Sequence, residues 1–319
     1  MITARYGVDP IPFDPRGVVT VGTFDGVHCG HRGIIAQMRT EAENSGGRIV
    51  VVTFDPHPQI VLQKPERKNV RLLSTIDERC VELAKLGVDL TVVIPFTREF
   101  SSTSAESFVR DIIANSIGVQ HFYIGHDHRF GKDRQGDEEL LHRLAPQCGF
   151  TVHWVDALEC DGMVVSSTKI RAALMEGDLA GANRMLGRAY QLIGTVVQGD
   201  KRGRELGIPT ANIKPLDPNK LMPANGVYVV SCEIDGADRI GMANIGVRPT
   251  FTTDSEPQLE VHFLDLDRDL YHQTLTVRFQ KYLRPEVRFG SKEEFLEQLQ
   301  KDRVETINYH QSTIHRSTS

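Results

Sequence analysis

Short continuous apolar runs alternate with helical stripes through the first half of the chain. Val18-Val19-Thr20-Val21, Ile49-Val50-Val51-Val52, Leu90 to Ile94 and Phe122-Tyr123-Ile124 lack the polar alternation of a half-exposed strand. Such runs predict strands buried on both faces of a parallel sheet. Between them, Ile34, Ile35 and Met38 share one helical face. Ile76, Cys80, Leu83 and Ala84 form a second stripe, ended by Gly87 at a C′ position. A third helix is predicted to open on a capping box of Thr103 and Glu106, turning Phe108, Val109, Ile112 and Ile113 inward. This alternation predicts an open α/β sheet, whose ligands bind beyond the carboxyl ends of the strands.

The pattern changes near Gly187. From Leu192 onward the strands are longer and alternate, with turn signals such as Asp235-Gly236. Leu259, Val261 and Phe263 point one way while Glu260 and His262 point the other. Sequential antiparallel strands with one polar face predict a small β-barrel. A final helix is announced by Ser291 with Glu294 as a capping box, with Phe295, Leu296 and Leu299 toward the barrel. The polar residues from about His310 are expected to fray. Two domains are therefore expected, residues 1–186 and residues 187–319.

Composition narrows the class. Hydrophobic residues at 40% and charged residues at 25% are ordinary globular usage, which argues against extensive disorder. Lys+Arg 37 against Asp+Glu 42 leaves a net charge of −5, so no bulk positive field draws the chain to nucleic acid or anionic lipid. No window approaches the roughly 18 apolar residues of a membrane span. Met1 to Arg16 has no apolar core to read as a signal peptide. Cys29, Cys80, Cys148, Cys160 and Cys232 are odd in number and scattered, against a disulfide framework or structural zinc. The expectation is a soluble cytoplasmic protein.

Chemistry concentrates first in Gly22-Thr23-Phe24-Asp25-Gly26-Val27-His28-Cys29-Gly30-His31, between a buried strand and a helix. Helix N-termini offer unpaired N–H groups and a positive dipole end to phosphates. Gly26 and Gly30 let backbone approach a ligand, and His28 and His31 can donate to phosphate oxygens. From composition, a chance H-x-G-H is expected only about 0.04 times, so the match is informative. Metal ligation by the two histidines is the weaker alternative. His57, in Thr53-Phe54-Asp55-Pro56-His57-Pro58, lies just past the second strand and could reach the same crevice. Ser166-Ser167-Thr168-Lys169-Ile170-Arg171 opens a helix with hydroxyls, N–H groups and cations suited to a polyphosphate. Gly125-His126-Asp127-His128-Arg129-Phe130-Gly131 follows another strand.

In the second half, a glycine- and cation-rich loop, Gly199 to Gly207, precedes Ile208-Pro209-Thr210-Ala211-Asn212. Such a loop can wrap phosphates, although a charged hairpin reads much the same and the P-loop spacing is absent. Thr210 and Asn212 place two hard oxygen donors on one side of an extended segment, a donor set suited to Mg²⁺. Glu260, on the polar side of its strand, is a candidate base for a hydroxyl.

H-x-G-H together with S-S-T-x-I-R resembles the nucleotidyltransferase superfamily. G-x-F-D-G-V-H-x-G-H, T-F-x-P-H-P and R-F-G narrow the resemblance to the bacterial bifunctional riboflavin kinase/FMN adenylyltransferase (FAD synthetase) family. G-x-P-T-A-N, N-G-V-Y, A-N-I-G-x-R-P-T, L-E-V-H-F-L and L-R-P-E resemble its riboflavin kinase part, in the family's order. The resemblance implies a Rossmann-like nucleotidyltransferase domain followed by a six-stranded Greek key barrel with a terminal helix. It implies phosphorylation of riboflavin by ATP to FMN in the second domain and adenylylation of FMN to FAD in the first. It further implies that His28 and His31 stabilise the α-phosphate of ATP. Gly22, Phe24, Asp25, Gly30, His57, Asp127, Ser167, Thr168 and Arg171 would serve ATP and its phosphates in that site. Gly199, Lys201, Gly203 and Gly207 would do so in the kinase site. Glu260 would be the kinase base, Thr210 and Asn212 the Mg²⁺ ligands, and Asn244 and Arg284 neighbours of the flavin. His128 departs from the aromatic or aliphatic residue many members carry.

Other classes fit less well. A nucleic-acid-binding barrel is disfavoured by the net charge, and a redox flavoprotein by the lack of G-x-G-x-x-G. An adenylyltransferase with a merely flavin-binding barrel is disfavoured by Glu260, Thr210 and Asn212 together. Cys29, inside the H-x-G-H, would be the residue to carry any redox control. The expected partners are small molecules and, transiently, flavin-accepting apoproteins.

Overall fold

Buried on both faces, the apolar runs become the middle of a six-stranded sheet. The computed structural model describes residues 1–63, 70–125, 130–132, 135–156, 159–160, 162–199, 209–247, 257–266 and 268–317. They divide into two compact units, residues 1–167 and 168–319.

The first unit contains β1 (Ile2–Arg5), β2 (Val18–Val21), α1 (Cys29–Ser45), β3 (Ile49–Asp55), α2 (Pro58–Val61), α3 (Ile76–Lys85) and β4 (Leu90–Pro95). Then follow α4 (Ala105–Ser107), which runs on as a π-helical stretch over Phe108–Ile117, β5 (His121–Gly125), α5 (Glu138–Cys148) and β6 (Thr151–Val155). β7 (Glu159–Cys160) and β8 (Met163–Val164) form a small hairpin. The sheet is parallel throughout, in the order β1-β4-β3-β2-β5-β6. Alternate residues of one strand enter different cores. Val50, Val52 and Phe54 of β3 join Ile112 and Leu144 on one side. Ile49 and Val51 join Ile35 and Met38 of α1 on the other.

Several local expectations shift. β1 escaped the sequence pattern because it is an edge strand with three exposed residues of four. α4 is capped by Ser104, whose Oγ accepts from Ser107 N at 3.0 Å, and not by Thr103; Glu106 instead pairs with Arg110 and Arg143. α3 has the expected Gly87 turn but buries Glu78, Arg79 and Glu82 beside Leu83, while Ala84 is exposed. Polar partners within the protein let those charged residues occupy the buried face.

The second unit holds all but the first residue of α6 (Ser167–Glu176), then α7 (Leu179–Leu186) and a closed antiparallel barrel. Its strands are β9 (Tyr190–Val197), β10 (Ala211–Pro215), β11 (Gly226–Ile234), β12 (Ala237–Gly246), β13 (Gln258–Phe263) and β14 (Thr274–Arg284). They close in the order β10-β13-β12-β11-β14-β9. β11, β12 and β13 neighbour in sequence, and β14 returns beside β11, which is a Greek key. Asp235 and Gly236, both at positive φ, make the expected tight turn between β11 and β12. The unit starts earlier than the boundary read from the strand pattern, because α7 packs on the barrel. Asn183 Nδ2 donates to Phe279 O at 3.0 Å and Asn183 Oδ1 accepts from Tyr190 N at 2.7 Å.

The last helix, α8 (Lys292–Ser317), extends well past His310. Ser291 Oγ caps it by accepting from Glu294 N at 3.1 Å, but the Glu294 carboxylate turns back to Gly290 N, so the box is only half formed. Leu296 is exposed, and Phe295 and Leu299 face the barrel.

Gly118 ends the π-helical stretch at φ +86°, where a Cβ would fall on the Asp14 carbonyl. Gly118→Ala is expected to lower stability by about 2 kcal/mol or more, read as an earlier unfolding transition of the first unit in thermal melts.

Candidate active sites

The strand order reverses at β2, with β3 and β4 on one side and β5 and β6 on the other. The carboxyl ends of β2 and β5 are therefore the position where open α/β sheets bind ligands. The loop leaving β2 carries Gly22 to His28. Phe24 (φ 47°) and Val27 (φ 42°) are left-handed there, a conformation costing about 1–3 kcal/mol for a β-branched residue. Buried hydrogen bonds hold the loop in it. The Asp25 carboxylate, with no solvent exposure, accepts from Leu73 N at 3.1 Å, Ser74 N at 2.9 Å and Ser74 Oγ at 3.2 Å. Gly26 N donates to Ser74 Oγ at 2.8 Å. Arg79, also buried, donates to Thr53 Oγ1 at 2.9 Å and Phe54 O at 3.1 Å. Burial pulls its guanidinium below the ordinary value, and the Asp25 and Asp55 carboxylates oppose that. The Asp25 carboxylate thus helps to build the loop.

His28 precedes α1 in extended backbone, and its side chain does not cap the helix. Its ring stacks on His31 with centroids 3.7 Å apart and planes 16° from parallel. Phe24 backs His31 at 4.6 Å. Two glycines make room for this cluster. A Cβ on Gly22 would lie 3.0 Å from the Phe24 ring, and one on Gly30 3.2 Å from His28. His57 caps α2 at the carboxyl end of β3, its Nδ1 accepting from Gln59 N at 3.1 Å, which leaves Nε2 as the protonated nitrogen of a neutral ring. Ser167, 142 positions from Asp25 in sequence, donates its hydroxyl to the Asp25 carbonyl at 2.9 Å, so the S-S-T motif begins at the H-x-G-H loop. Thr168 and Arg171 lie on the first turns of α6. Asp127 and His128 lie outside the described residues. Of the R-F-G motif, Phe130 is a core residue, and Gly131 approaches Ala105 where a Cβ would lie 2.6 Å away.

The barrel assembles the second site by strand register. Asn212 on β10 is opposite Glu260 on β13, Glu260 is opposite Asn244 on β12, Asn244 is opposite Val227 on β11, and Val227 is opposite Arg284 on β14. Four residues expected to act together thus form one transverse row over five strands. Leu259 and Val261, at 1% and 0% exposure, fill the barrel while Glu260 faces outward between them. A cavity of about 340 Å³ covers most of this row and is lined by Thr210, Asn244, Glu260 and Arg284, with Phe295 and Asp302 of α8. Gly199 lies where a Cβ would collide with the Asn212 amide, so its missing side chain is what leaves Asn212 in place. Lys201, Gly203 and Gly207 lie outside the described residues.

Arg284 makes a bidentate pair with buried Asp302, Nε at 3.1 Å from both carboxylate oxygens and Nη2 at 2.8 Å from Oδ2. Asn244 Nδ2 donates to Glu286 at 3.2 Å. His262 Nδ1 meets Pro209 O at 2.9 Å and ties β13 to the segment bearing Thr210. His262, Asp302 and Glu286 were not singled out from sequence as site residues. His262 was legible as the residue two after Glu260 on the same face; Asp302 belongs to a helix whose docking no spacing reveals.

Comparison with known proteins decides the family. Residues 11–169 match the FAD synthetase family model and residues 186–310 the riboflavin kinase model. A bifunctional riboflavin kinase/FMN adenylyltransferase of Listeria monocytogenes is 39% identical over 92% of this chain and 92% of its own. One from Pseudomonas fluorescens is 42% identical over 86% of this chain and 87% of its own. The chain belongs to the bifunctional riboflavin kinase/FMN adenylyltransferase family. A crystal structure described as a macrolide-efflux protein from Streptococcus pneumoniae is also similar to this family member, 32% identical with a TM-score of 0.86 over 97% of this chain and 99% of that one. Among the described residues, no helix is long and apolar enough to cross a membrane. The adenylyltransferase match ends at Lys169, inside α6 and two residues into the barrel's unit, and the kinase match starts at Leu186, the last residue of α7.

Breaking the Arg284–Asp302 pair leaves a buried carboxylate uncompensated. Arg284→Met is expected to cost about 2–4 kcal/mol in denaturant titrations of the second unit, and adding Asp302→Leu should return most of it.

Proposed function

We propose that residues 1–186 transfer the adenylyl group of ATP to FMN and that residues 187–319 phosphorylate riboflavin. The observation that carries the kinase half is the row Asn212–Glu260–Asn244–Val227–Arg284 against one cavity. Riboflavin occupies that cavity with its 5′-hydroxyl toward Glu260. The hydroxyl oxygen attacks the γ-phosphorus of ATP, its proton passes to the Glu260 carboxylate, and the bond to the β-bridging oxygen breaks to release ADP. Thr210 and Asn212 supply a hydroxyl and an amide oxygen beside that carboxylate, an all-oxygen donor set that fits Mg²⁺. When bound with ATP, Mg²⁺ supplies charge neutralisation to the phosphates. Gly199, with Lys201, Gly203 and Gly207 of the loop after it, wraps the phosphates. Asn244 touches the flavin. Arg284 serves it indirectly, by fixing α8 through Asp302 as one wall of the cavity.

In the first half no protein nucleophile is needed. An FMN phosphate oxygen attacks the α-phosphorus of a second ATP and pyrophosphate leaves. His28 and His31, stacked at the mouth of the β2 loop, donate to the α-phosphate as charge builds there. Gly22, Phe24 and Gly30 shape the space these rings need. Ser167, Thr168 and Arg171 hold the outer phosphates at the start of α6, with His57 and Asp127 toward the nucleotide. Asp25 acts by holding the loop. The enzyme works in the cytoplasm on small molecules, binds no nucleic acid, and passes FAD to flavin-accepting apoproteins through transient contacts.

Glu260→Gln should reduce FMN formation by about 10²–10⁴-fold while FAD formation from supplied FMN persists. His28→Ala should do the reverse, with FMN accumulating and FAD lost by about 10²-fold or more. Chromatography of riboflavin, FMN and FAD over time reads both. Retention of FMN formation in Glu260→Gln would overturn the base assignment.

A further inference from the structure

Far from the carboxyl ends of the strands, three ionisable side chains meet between α1 and the β5–β6 edge of the sheet. His121 is the first residue of β5 and His153 the third of β6, where it is in register with Tyr123. Period 2 puts His121, Tyr123 and His153 on one sheet face, the face on which Tyr123 and Val155 pack with Met38 and Ala42 of α1. Glu41 descends from α1 to meet them. His121 Nδ1 lies 3.0 Å from His153 Nε2, and His121 Nε2 lies 3.4 Å from Glu41 Oε1. One ligand atom from each of the three residues can be chosen so that all lie within 4.8 Å of one another.

We propose that Glu41, His121 and His153 form a binding site for a borderline divalent cation of the Zn²⁺ type, which clamps α1 to β5 and β6. Two imidazoles and one carboxylate are a donor set such ions take, with a water in the fourth position. Ligand atoms on a tetrahedral Zn²⁺ stand about 3.3–3.4 Å apart, given metal–ligand bonds near 2.0–2.1 Å. His121 turns Nδ1 to His153 and Nε2 to Glu41, so ligation requires its ring to present one nitrogen to both partners. The His153 ring is already oriented, stacked on Tyr123 with centroids 4.5 Å apart and planes 6° from parallel. The Glu41 and His121 side chains keep 26% and 16% exposure, so an ion can enter from solvent. The site is remote from H-x-G-H in role as well as position, since none of its residues belongs to the phosphate-handling set.

Equilibrium dialysis of the full chain against Zn²⁺, with Co²⁺ absorption as a report on coordination, tests this. The wild type should bind one equivalent more than His121→Gln or His153→Gln, and Glu41→Gln should weaken that equivalent at least tenfold. Co²⁺ should give visible bands of four- or five-coordination that the histidine variants lack. Zn²⁺ should raise the melting temperature of the wild type and not of the variants. FMN and FAD formation by each variant confirms that it folds. If a histidine variant fails to fold, Glu41→Gln carries the comparison alone, because its carboxylate lies at the rim. Equal stoichiometry and affinity in the wild type and every folded variant would overturn the site and leave the trio as a hydrogen-bonded filler of the interface.

Discussion

A carboxylate removed from water must find its donors inside the protein, and at Asp25 that requirement organises the whole adenylyltransferase half. Its three donors come from Leu73 and Ser74, nearly fifty residues away, so the segment entering α3 is fastened to the loop leaving β2. Ser74 bonds Gly26 as well, and Ser167 bonds the Asp25 carbonyl. The left-handed backbone of Phe24 and Val27 persists because this network over-determines it. His28 and His31 are therefore aimed by polar bonds beneath them together with Phe24 and Val27, which anchor the same loop in the apolar core beside α1.

The kinase half solves its positioning problem differently. Side-chain direction in a strand alternates with period 2, so a slip of one residue in β13 would send Glu260 into the barrel and Val261 out of it. The row from Asn212 to Arg284 exists only in one register of five strands. That register is set by the tight turn at Asp235–Gly236 and by the large apolar side chains, Tyr228 and Phe279 among them, that fill the barrel. Here the apolar packing is itself the device that aligns the chemistry.

Most of this was legible beforehand, and the exceptions share a cause. Continuous apolar runs named the buried strands β2 to β5, and the alternation around Glu260 named its outward face. What the pattern missed depends on tertiary partners. β1 is a four-residue edge strand that buries only Ala4; Arg79 and Glu82 are buried because other polar groups wait for them; Ser104 displaces Thr103 by one residue, a difference no propensity distinguishes. Asp302 and the α8 wall of the cavity were hidden for the same reason, since nothing in a helix of mixed polarity states where it docks.

The helix α6 has two allegiances. Its first residue bonds the loop of the phosphate-transfer site, whereas its later turns belong with the barrel, where the Leu174 carbonyl accepts from Ala224 N at 2.9 Å. A gene rearrangement that exchanged one half at the point where the strand pattern changes would separate α7 from the strands it packs on. One made at the edge of the first compact unit would cut α6 between Ser167 and Thr168. An exchange of halves has to keep α6 whole and leave α7 with the barrel it packs on.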